Sequence, residues 1–169
     1  DEALLRPQRL NAQGREHYAD GDHPQALASF EGAVARRPDD PRLRFNLADA
    51  LYKNGTYQEA AAAYQALAGR ADAPLAAAAR FNLGNTLFQQ GNYPAAIAAY
   101  RGALELAGED LDARRNLELA LRALEEQKKQ QQQQQQQQNQ DNKQDQRQQE
   151  QQQQQQQEQQ RPQSAQEKE

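Results

Sequence analysis

Glycine, alanine and an aromatic ring recur along this chain at fixed offsets. Gly21, Gly55 and Gly91 stand five residues before Ala26, Ala60 and Ala96, and Phe30, Tyr64 and Tyr100 follow the same alanines by four. Ala26 to Ala60 is 34 residues and Ala60 to Ala96 is 36. A period in the range of about 20–50 residues marks an array of units, each of which buries its apolar face only by stacking on its neighbours. The clearest copy is Arg80-Phe81-Asn82-Leu83-Gly84-Asn85-Thr86-Leu87-Phe88, followed across Gly91-Asn92 by Tyr93-Pro94 and on to Tyr100. It reads as two short amphipathic helices joined by a Gly-Asn turn. Arg44-Phe45-Asn46-Leu47-Ala48 through Gly55, Tyr57, Ala60 and Tyr64 repeats it. Gly14, Gly21, Ala26, Phe30, Ala33 and Pro38 carry a looser first copy.

Pro7 opens a helix over about 7–18, with residues 1–6 frayed ahead of it, because a proline loses no hydrogen bond in the first turn. Gly21 ends that helix, and Pro24 sits in the first turn of the next, whose Ala26, Leu27, Phe30, Ala33 and Val34 form an apolar stripe. Pro38-Asp39-Asp40-Pro41 breaks the chain, and Pro41 opens the third helix. Gly14, Ala48 and Gly84 fall in mid-helix, where glycine costs up to ~1 kcal/mol against alanine. Small residues there imply close approach of another helix, with Ala26, Ala60 and Ala96 facing them and the aromatic residues filling the gap to the next repeat. Asp110 caps a further helix from Leu111 to about Lys129. Its Arg114-Arg115-Asn116-Leu117 echoes Arg80-Phe81-Asn82-Leu83, but no partner helix follows. We read it as a lid that packs Leu117, Ala120, Leu121 and Leu124 onto the third repeat.

This register resembles the tetratricopeptide repeat family, whose unit of about 34 residues has the pattern W-x₂-L-G-x₂-Y…A-x₃-F…P. Leu83-Gly84 with Leu87, then Ala96 with Tyr100, follows that pattern, as do Leu47-Ala48 with Leu51, then Ala60 with Tyr64. Gly14, His17, Ala26, Phe30 and Pro38 carry the first copy, and Leu10, Arg44 and Arg80 replace the tryptophan. The resemblance covers about residues 7–108. It implies an all-α fold, a right-handed α-solenoid of three helix-turn-helix repeats at about 7–40, 41–74 and 75–108 with a C-terminal capping helix from 110.

Composition separates this domain, residues 1–124, from the rest. Apolar residues make up 36% of the chain, below the usual figure of roughly 45–50%, and after Leu124 the only one is Ala165. Residues 125–169 form a Gln-rich low-complexity tail. Glutamine is a good helix former and the lid supplies a nucleus, so the helix is expected to continue past Lys129 and fray, with Pro162 as its latest end. The tail reads as a solvated spacer. Its glutamines also offer a route to self-association, though no apolar heptad supports a coiled coil. The chain opens at Asp1 and holds no Met, which reads as a mature form or an excised piece.

A net charge of −4 gives no pull toward nucleic acid. No apolar run approaches the roughly 20 residues of a membrane span. With no Cys there is neither disulfide nor thiolate site, and nothing separates cytoplasm from periplasm. His17 and His23 with Asp20 and Asp22 can be sketched as a metal cluster, but His17 falls where other repeats have Leu51 and Leu87, and His23 where they have Tyr57 and Tyr93. The structural reading is preferred, and no metal, cofactor or catalytic residue is expected.

The functional question is what the first helices present. Repeats of this family bind an extended peptide or a partner helix in a concave groove lined by those helices. Helical spacing selects Gln8, Asn11, Arg15 and Tyr18 in the first; Arg42, Phe45, Asp49 and Tyr52 in the second, with Lys53 beside them; and Ala78, Phe81, Asn85 and Phe88 in the third, with Gln89 beside them. The lid adds Asp112, Arg115 and Arg122. Asn46, Asn82 and Asn116 recur next to this stripe, placed to hydrogen-bond a peptide backbone. Phe45 and Phe81 are expected to stay partly exposed and to act as anchors, since Leu47 and Leu83 already fill the core direction. Tyr18, Tyr52 and Phe88 have a second reading as packing between helices.

Chaperone-tail-binding members of the family use a carboxylate clamp of two Asn and three basic residues. In this register the basic positions hold Asn11, Ala78 and Asn82, one Asn position holds Arg15, and only Asn46 matches. Recognition of an acidic chaperone tail is therefore disfavoured. The Arg-Phe-Asn-Leu-Gly-Asn-Thr-Leu-Phe run, the lid motif Arg115-Asn116-Leu117-Glu118-Leu119-Ala120-Leu121 and the Gln tail resemble the repeat region of bacterial aerotolerance-operon (Bat-type) proteins. That resemblance implies a non-catalytic scaffold in a cell-envelope complex, on the periplasmic side or associated with the inner membrane. Its protein or peptide partners would include von Willebrand factor A-domain proteins and a MoxR-type ATPase system. A cytoplasmic location, and a targeting or regulatory role within a larger membrane-associated enzyme or transport complex, are the alternatives.

Overall fold

The computed structural model describes residues 2–159, with side-chain environments for residues 6–156. Every regular element among them is an α-helix: α1 (Glu2–Ala19), α2 (His23–Val34), α3 (Pro41–Lys53), α4 (Tyr57–Ala68), α5 (Ala73–Gln89), α6 (Tyr93–Leu106) and α7 (Leu111–Gln159). The chain divides into two compact units, Asp1–Leu124 and Glu125–Glu169. In the first unit each helix packs on the next, from α1 on α2 to α5 on α6, and the first helices of successive hairpins also touch, α1 with α3 and α3 with α5. Contacts confined to neighbours in this way define a solenoid of three stacked hairpins.

The turns explain why the hairpins are alike. Gly21, Gly55 and Gly91 have φ of 80°, 79° and 73°, a left-handed conformation that glycine adopts without penalty. In each, the N–H of the following residue closes back on the helix: Asp22 to the His17 carbonyl at 2.8 Å, Thr56 to Leu51 at 3.1 Å, Asn92 to Leu87 at 2.9 Å. These bonds satisfy carbonyls that a helix end leaves free. The next helix is then capped, by Asp22 on the Gln25 N–H and by Asn92 on the Ala95 N–H, with Pro24 and Pro94 in the first turn. Asp40, Asp72 and Asp110 cap α3, α5 and α7 in the same way. Thr56 differs: its hydroxyl donates to the Leu51 carbonyl at 2.9 Å instead of capping α4.

Ala26, Ala60 and Ala96 are fully buried, as the close helix approach requires. A Cβ built on Gly14 would meet the Phe30 ring at 2.6 Å, and one on Gly84 the Tyr100 ring at 2.5 Å. The aromatic rings of α2 and α6 thus lie across the mid-helix glycines of their own first helices, and Tyr64 shares a buried cluster with Ala48. The replaced tryptophans have an account too: the Leu10 side chain lies over Gly32, and Arg80 lies over Gly102 and donates to its carbonyl at 2.9 Å.

Four expectations change in detail. α1 begins at Glu2, so residues 2–6 are helical and Pro7 lies inside the helix, where it is buried and forfeits a single ladder bond near the start. The third repeat begins with α5 at Ala73 rather than at 75. The link before α5 is only 69–72, against 35–40 before α3, while α5 starts a full turn further upstream of Gly84 than α3 does of Ala48; together these give the longer spacing between Ala60 and Ala96. Leu121 is 43% exposed, whereas Leu117, Ala120 and Leu124 pack against Ile97 and Tyr100. In the repeats that position is Leu51, buried in the central cluster, and Leu87, packed against it; among the described residues no helix follows α7. Finally, α7 stays helical to Gln159. Glu125 pairs with Lys129 at 2.9 Å and Gln130 donates to Glu126 at 3.3 Å along its exposed surface. Pro162 lies outside the described residues. No helix among the described residues is long and apolar enough to cross a membrane.

Candidate peptide-binding trough

The first helices of the repeats and the start of α7 present one continuous face, and three adjoining recesses run along it. The first, about 130 Å³, is lined by Arg15, Tyr18, Phe30, Asn46 and Asp49. The second, about 340 Å³, shares Tyr18 and Asp49 and adds Tyr52, Lys53, Tyr64, Asn82 and Asn85. The third, about 310 Å³, shares Tyr52 and Asn85 and adds Phe88, Gln89, Tyr100, Asn116 and Leu119. Shared walls make these recesses a single trough.

Three ring pairs at the ends of the hairpins fix its aromatic wall. Tyr18 meets His23 edge-on with centroids 5.5 Å apart, Tyr52 meets Tyr57 at 5.4 Å, and Phe88 meets Tyr93 at 5.2 Å. His23 therefore does the work of the two tyrosines. Its Nδ1 is buried without a hydrogen-bond partner. Among the described residues no group of three or more His, Asp or Glu is arranged to hold a metal ion.

The floor is a ladder of amides. Asn46 donates to Asn11 Oδ1 at 2.8 Å, Asn82 to Asp49 Oδ1 at 3.0 Å, and Asn116 to Asn85 Oδ1 at 2.9 Å. Each asparagine thus binds the first helix of the preceding repeat. Asp49 and Asn85 also accept the hydroxyl of the plugging tyrosine, Tyr64 at 2.5 Å and Tyr100 at 2.8 Å. Burial raises the Asp49 carboxyl above its ordinary value, against the opposing bonds from Tyr64 and Asn82 and the Lys53 charge. Burial, followed by the Asp49 charge, pushes the Tyr64 hydroxyl far up, so it stays a donor. Tyr100 is pushed up to about 12, first by burial. Tyr18 is raised by burial and then by Asp49 and Tyr52.

Of the residues selected from sequence, the trough brings together Arg15, Tyr18, Asn46, Asp49, Tyr52, Lys53, Asn82, Asn85, Phe88, Gln89 and Asn116. The others, Gln8, Ala78 and Asp112 among them, lie outside its lining. Asn11 is the acceptor for Asn46. Arg42 and Arg115 are exposed. Arg122 is paired with Glu118 one turn earlier. Phe45 and Phe81 are half-buried, with centroids 5.9 Å from Tyr64 and 6.0 Å from Tyr100, and pack into the core clusters. Tyr64, Tyr100, Phe30 and Leu119 line the trough without having been selected. A signal for two of them was present: Tyr stands at 64 and 100 where Phe stands at 30, and a buried phenol needs a partner.

These features define a class, a stack of helical hairpins with an amide-floored, aromatic-walled trough along its first helices. The tetratricopeptide repeat family model matches residues 11–74 and 61–110, more than half of the sequence, and the chain belongs to that family. Solved structures agree in fold. The tetratricopeptide domain of Sgt2 from Aspergillus fumigatus superimposes with a TM-score of 0.66 at 23% identity, covering 73% of this chain and 82% of that one. The second-module domain (TPR2B) of yeast Sti1, in complex with an Hsp70 peptide, gives 0.63 at 21%, covering 72% and 98%. The Yersinia enterocolitica type III secretion chaperone SycD, in complex with a peptide of the translocator YopD, gives 0.59 at 19%, covering 74% and 92%. No curated protein sequence matches significantly.

Proposed function

We propose that this chain is a non-catalytic interaction scaffold that holds an extended segment of another protein along the trough. The observation that carries this reading is the continuity of the three recesses, whose walls of half-buried rings and floor of amides and one carboxylate suit a polypeptide better than a compact small molecule. Two of the fold relatives hold peptides, which supports the mode of binding. An acidic chaperone tail is disfavoured as that segment. Asn11, Ala78 and Asn82 stand where the clamp's basic residues belong, and the amides of Asn46 and Asn82 are already bonded to neighbouring helices.

The experiment is selection of short random peptides on the immobilised chain, followed by binding to variants. Tyr52→Ala removes a ring shared by two recesses, and Gln89→Trp fills the third from an exposed position. Both should weaken the selected peptides while the helical signal and melting of Gln89→Trp stay unchanged. Peptides indifferent to both substitutions would place recognition elsewhere.

The setting we infer is a bacterial envelope complex of the aerotolerance type. It is supported by the lid motif Arg115-Asn116-Leu117-Glu118-Leu119-Ala120-Leu121 together with the Gln-rich tail. The tail serves there as a spacer or second contact. Proximity labelling from the chain in its own cell should mark proteins with von Willebrand factor A domains and a MoxR-type ATPase. Labelling confined to unrelated cytoplasmic proteins would remove this setting and leave the trough intact.

A further inference from the structure

We infer that the central recess of the trough, between Tyr18 and Tyr52, is a subsite for one Lys or Arg side chain of the bound segment, with Asp49 as its counter-ion. The inference rests on the trough reading and names the chemistry its middle selects.

The argument comes from comparing two repeats. Asp49 and Asn85 occupy the same position in successive first helices. Each uses Oδ1 to accept one tyrosine hydroxyl and one asparagine amide, at 2.5 and 3.0 Å for Asp49 and at 2.8 and 2.9 Å for Asn85. In the third repeat a neutral amide therefore does all that the architecture asks of this position. That bonding does not require the charge on Asp49, which burial disfavours. A carboxylate kept where an amide suffices is accounted for by a ligand that needs the charge.

The surroundings fit a cation. Both bonds to Asp49 converge on Oδ1, and neither uses Oδ2. Lys53, one turn further along α3, is exposed and acts on the carboxylate through space. Tyr18 and Tyr52 line the recess of about 340 Å³ with Asp49, and their ring pairs with His23 and Tyr57 hold them in place. Phenol rings beside a carboxylate attract an ammonium or guanidinium group through both the ring faces and the ion pair. Arg15 lines the first recess with Asp49, Lys53 lines the second, and both repel further positive charge. The subsite thus selects a single basic residue and rejects a polybasic run.

The test uses the whole chain and the random peptide library. Peptides enriched on the wild type should carry one Lys or Arg at a fixed position, bind more weakly as salt rises, and lose at least about tenfold in affinity on Asp49→Asn. Asn85 shows that the substituted amide can keep both structural bonds, so the variant should stay folded, which its thermal melt checks. Affinity unchanged by Asp49→Asn, or enrichment of acidic or uncharged peptides, overturns the cation subsite. The trough survives that result if Tyr52→Ala and Gln89→Trp still weaken binding. Failure to enrich any peptide, or peptides untouched by all three substitutions, overturns both readings.

Discussion

Tyr64→Phe and Tyr100→Phe remove the same atom from equivalent positions, yet they should differ in cost. Both rings are buried, 1% and 2% exposed, so losing the oxygen changes apolar burial little in either case. What differs is the acceptor. Tyr100 donates to the neutral amide oxygen of Asn85, a bond worth about 0.5–1.5 kcal/mol net, whereas Tyr64 donates to the Asp49 carboxylate, where about 1.5–3 kcal/mol is typical. The second loss is larger because Asp49 would keep only the Asn82 amide while remaining partly desolvated. Against a total stability of about 5–15 kcal/mol either change is measurable. Urea denaturation followed by circular dichroism reads it directly. With a slope of about 1–3 kcal/mol per molar, a 1 kcal/mol gap between the variants separates their midpoints by roughly 0.3–1 M. The double-mutant comparison is decisive: in an Asp49→Asn background, Tyr64→Phe should cost no more than Tyr100→Phe does in the wild type. Equal costs in the wild type, or a Tyr64→Phe cost unmoved by Asp49→Asn, would show that the charge of this carboxylate does not set the strength of the ladder.

Four further outcomes are expected. Leu83, 6% exposed within the central cluster, should cost about 2–5 kcal/mol as Leu83→Ala, and a urea midpoint that barely moves would contradict its core role. Gly55→Ala meets no atom within 4 Å, so its cost of about 1–2 kcal/mol isolates the left-handed backbone; an unchanged melt would mean the turn relaxes freely. His23→Tyr restores the residue of the other two hairpins and removes a buried nitrogen without a partner, so it should stabilise by about 1 kcal/mol, seen as a higher melting temperature rather than a lower one. Burial raises the Asp49 carboxyl above 3.8, so the folded state holds that proton more tightly than the unfolded state. Stability from this group is therefore lowest above its folded value and recovers as pH falls through that value toward 3.8. Asp49→Asn should accordingly melt at or above the wild type at neutral pH, with the gap closing on acidification, and a gap that widens in acid would reverse the sign of the argument.

How much of this was legible depended on whether a residue's task is local. The turn glycines, the Asp110 cap and the small residues of the helix contacts each act within a few residues of helix geometry, so spacing alone exposes them. Pro7 and Leu121 were misplaced because their surroundings depend on something remote, the extent of α1 ahead of Pro7 and the missing second helix beside Leu121. The amide floor was hidden for the same reason. A helical wheel sets Asn46, Asn82 and Asn116 beside the trough, but only the stacking distance between repeats shows that each one reaches back to Asn11, Asp49 or Asn85.

Phe45 and Phe81 show the converse. A residue can stand at the rim of the stripe and still be drawn inward when a ring such as Tyr64 or Tyr100 offers it an edge. A repeat protein also carries its own control experiment. Where successive repeats share geometry and residue type, the residue serves the stack. Where they share geometry but differ in charge, as Asp49 and Asn85 do, the shared bonds do not require the difference, and the trough's occupant is the place to look for its use.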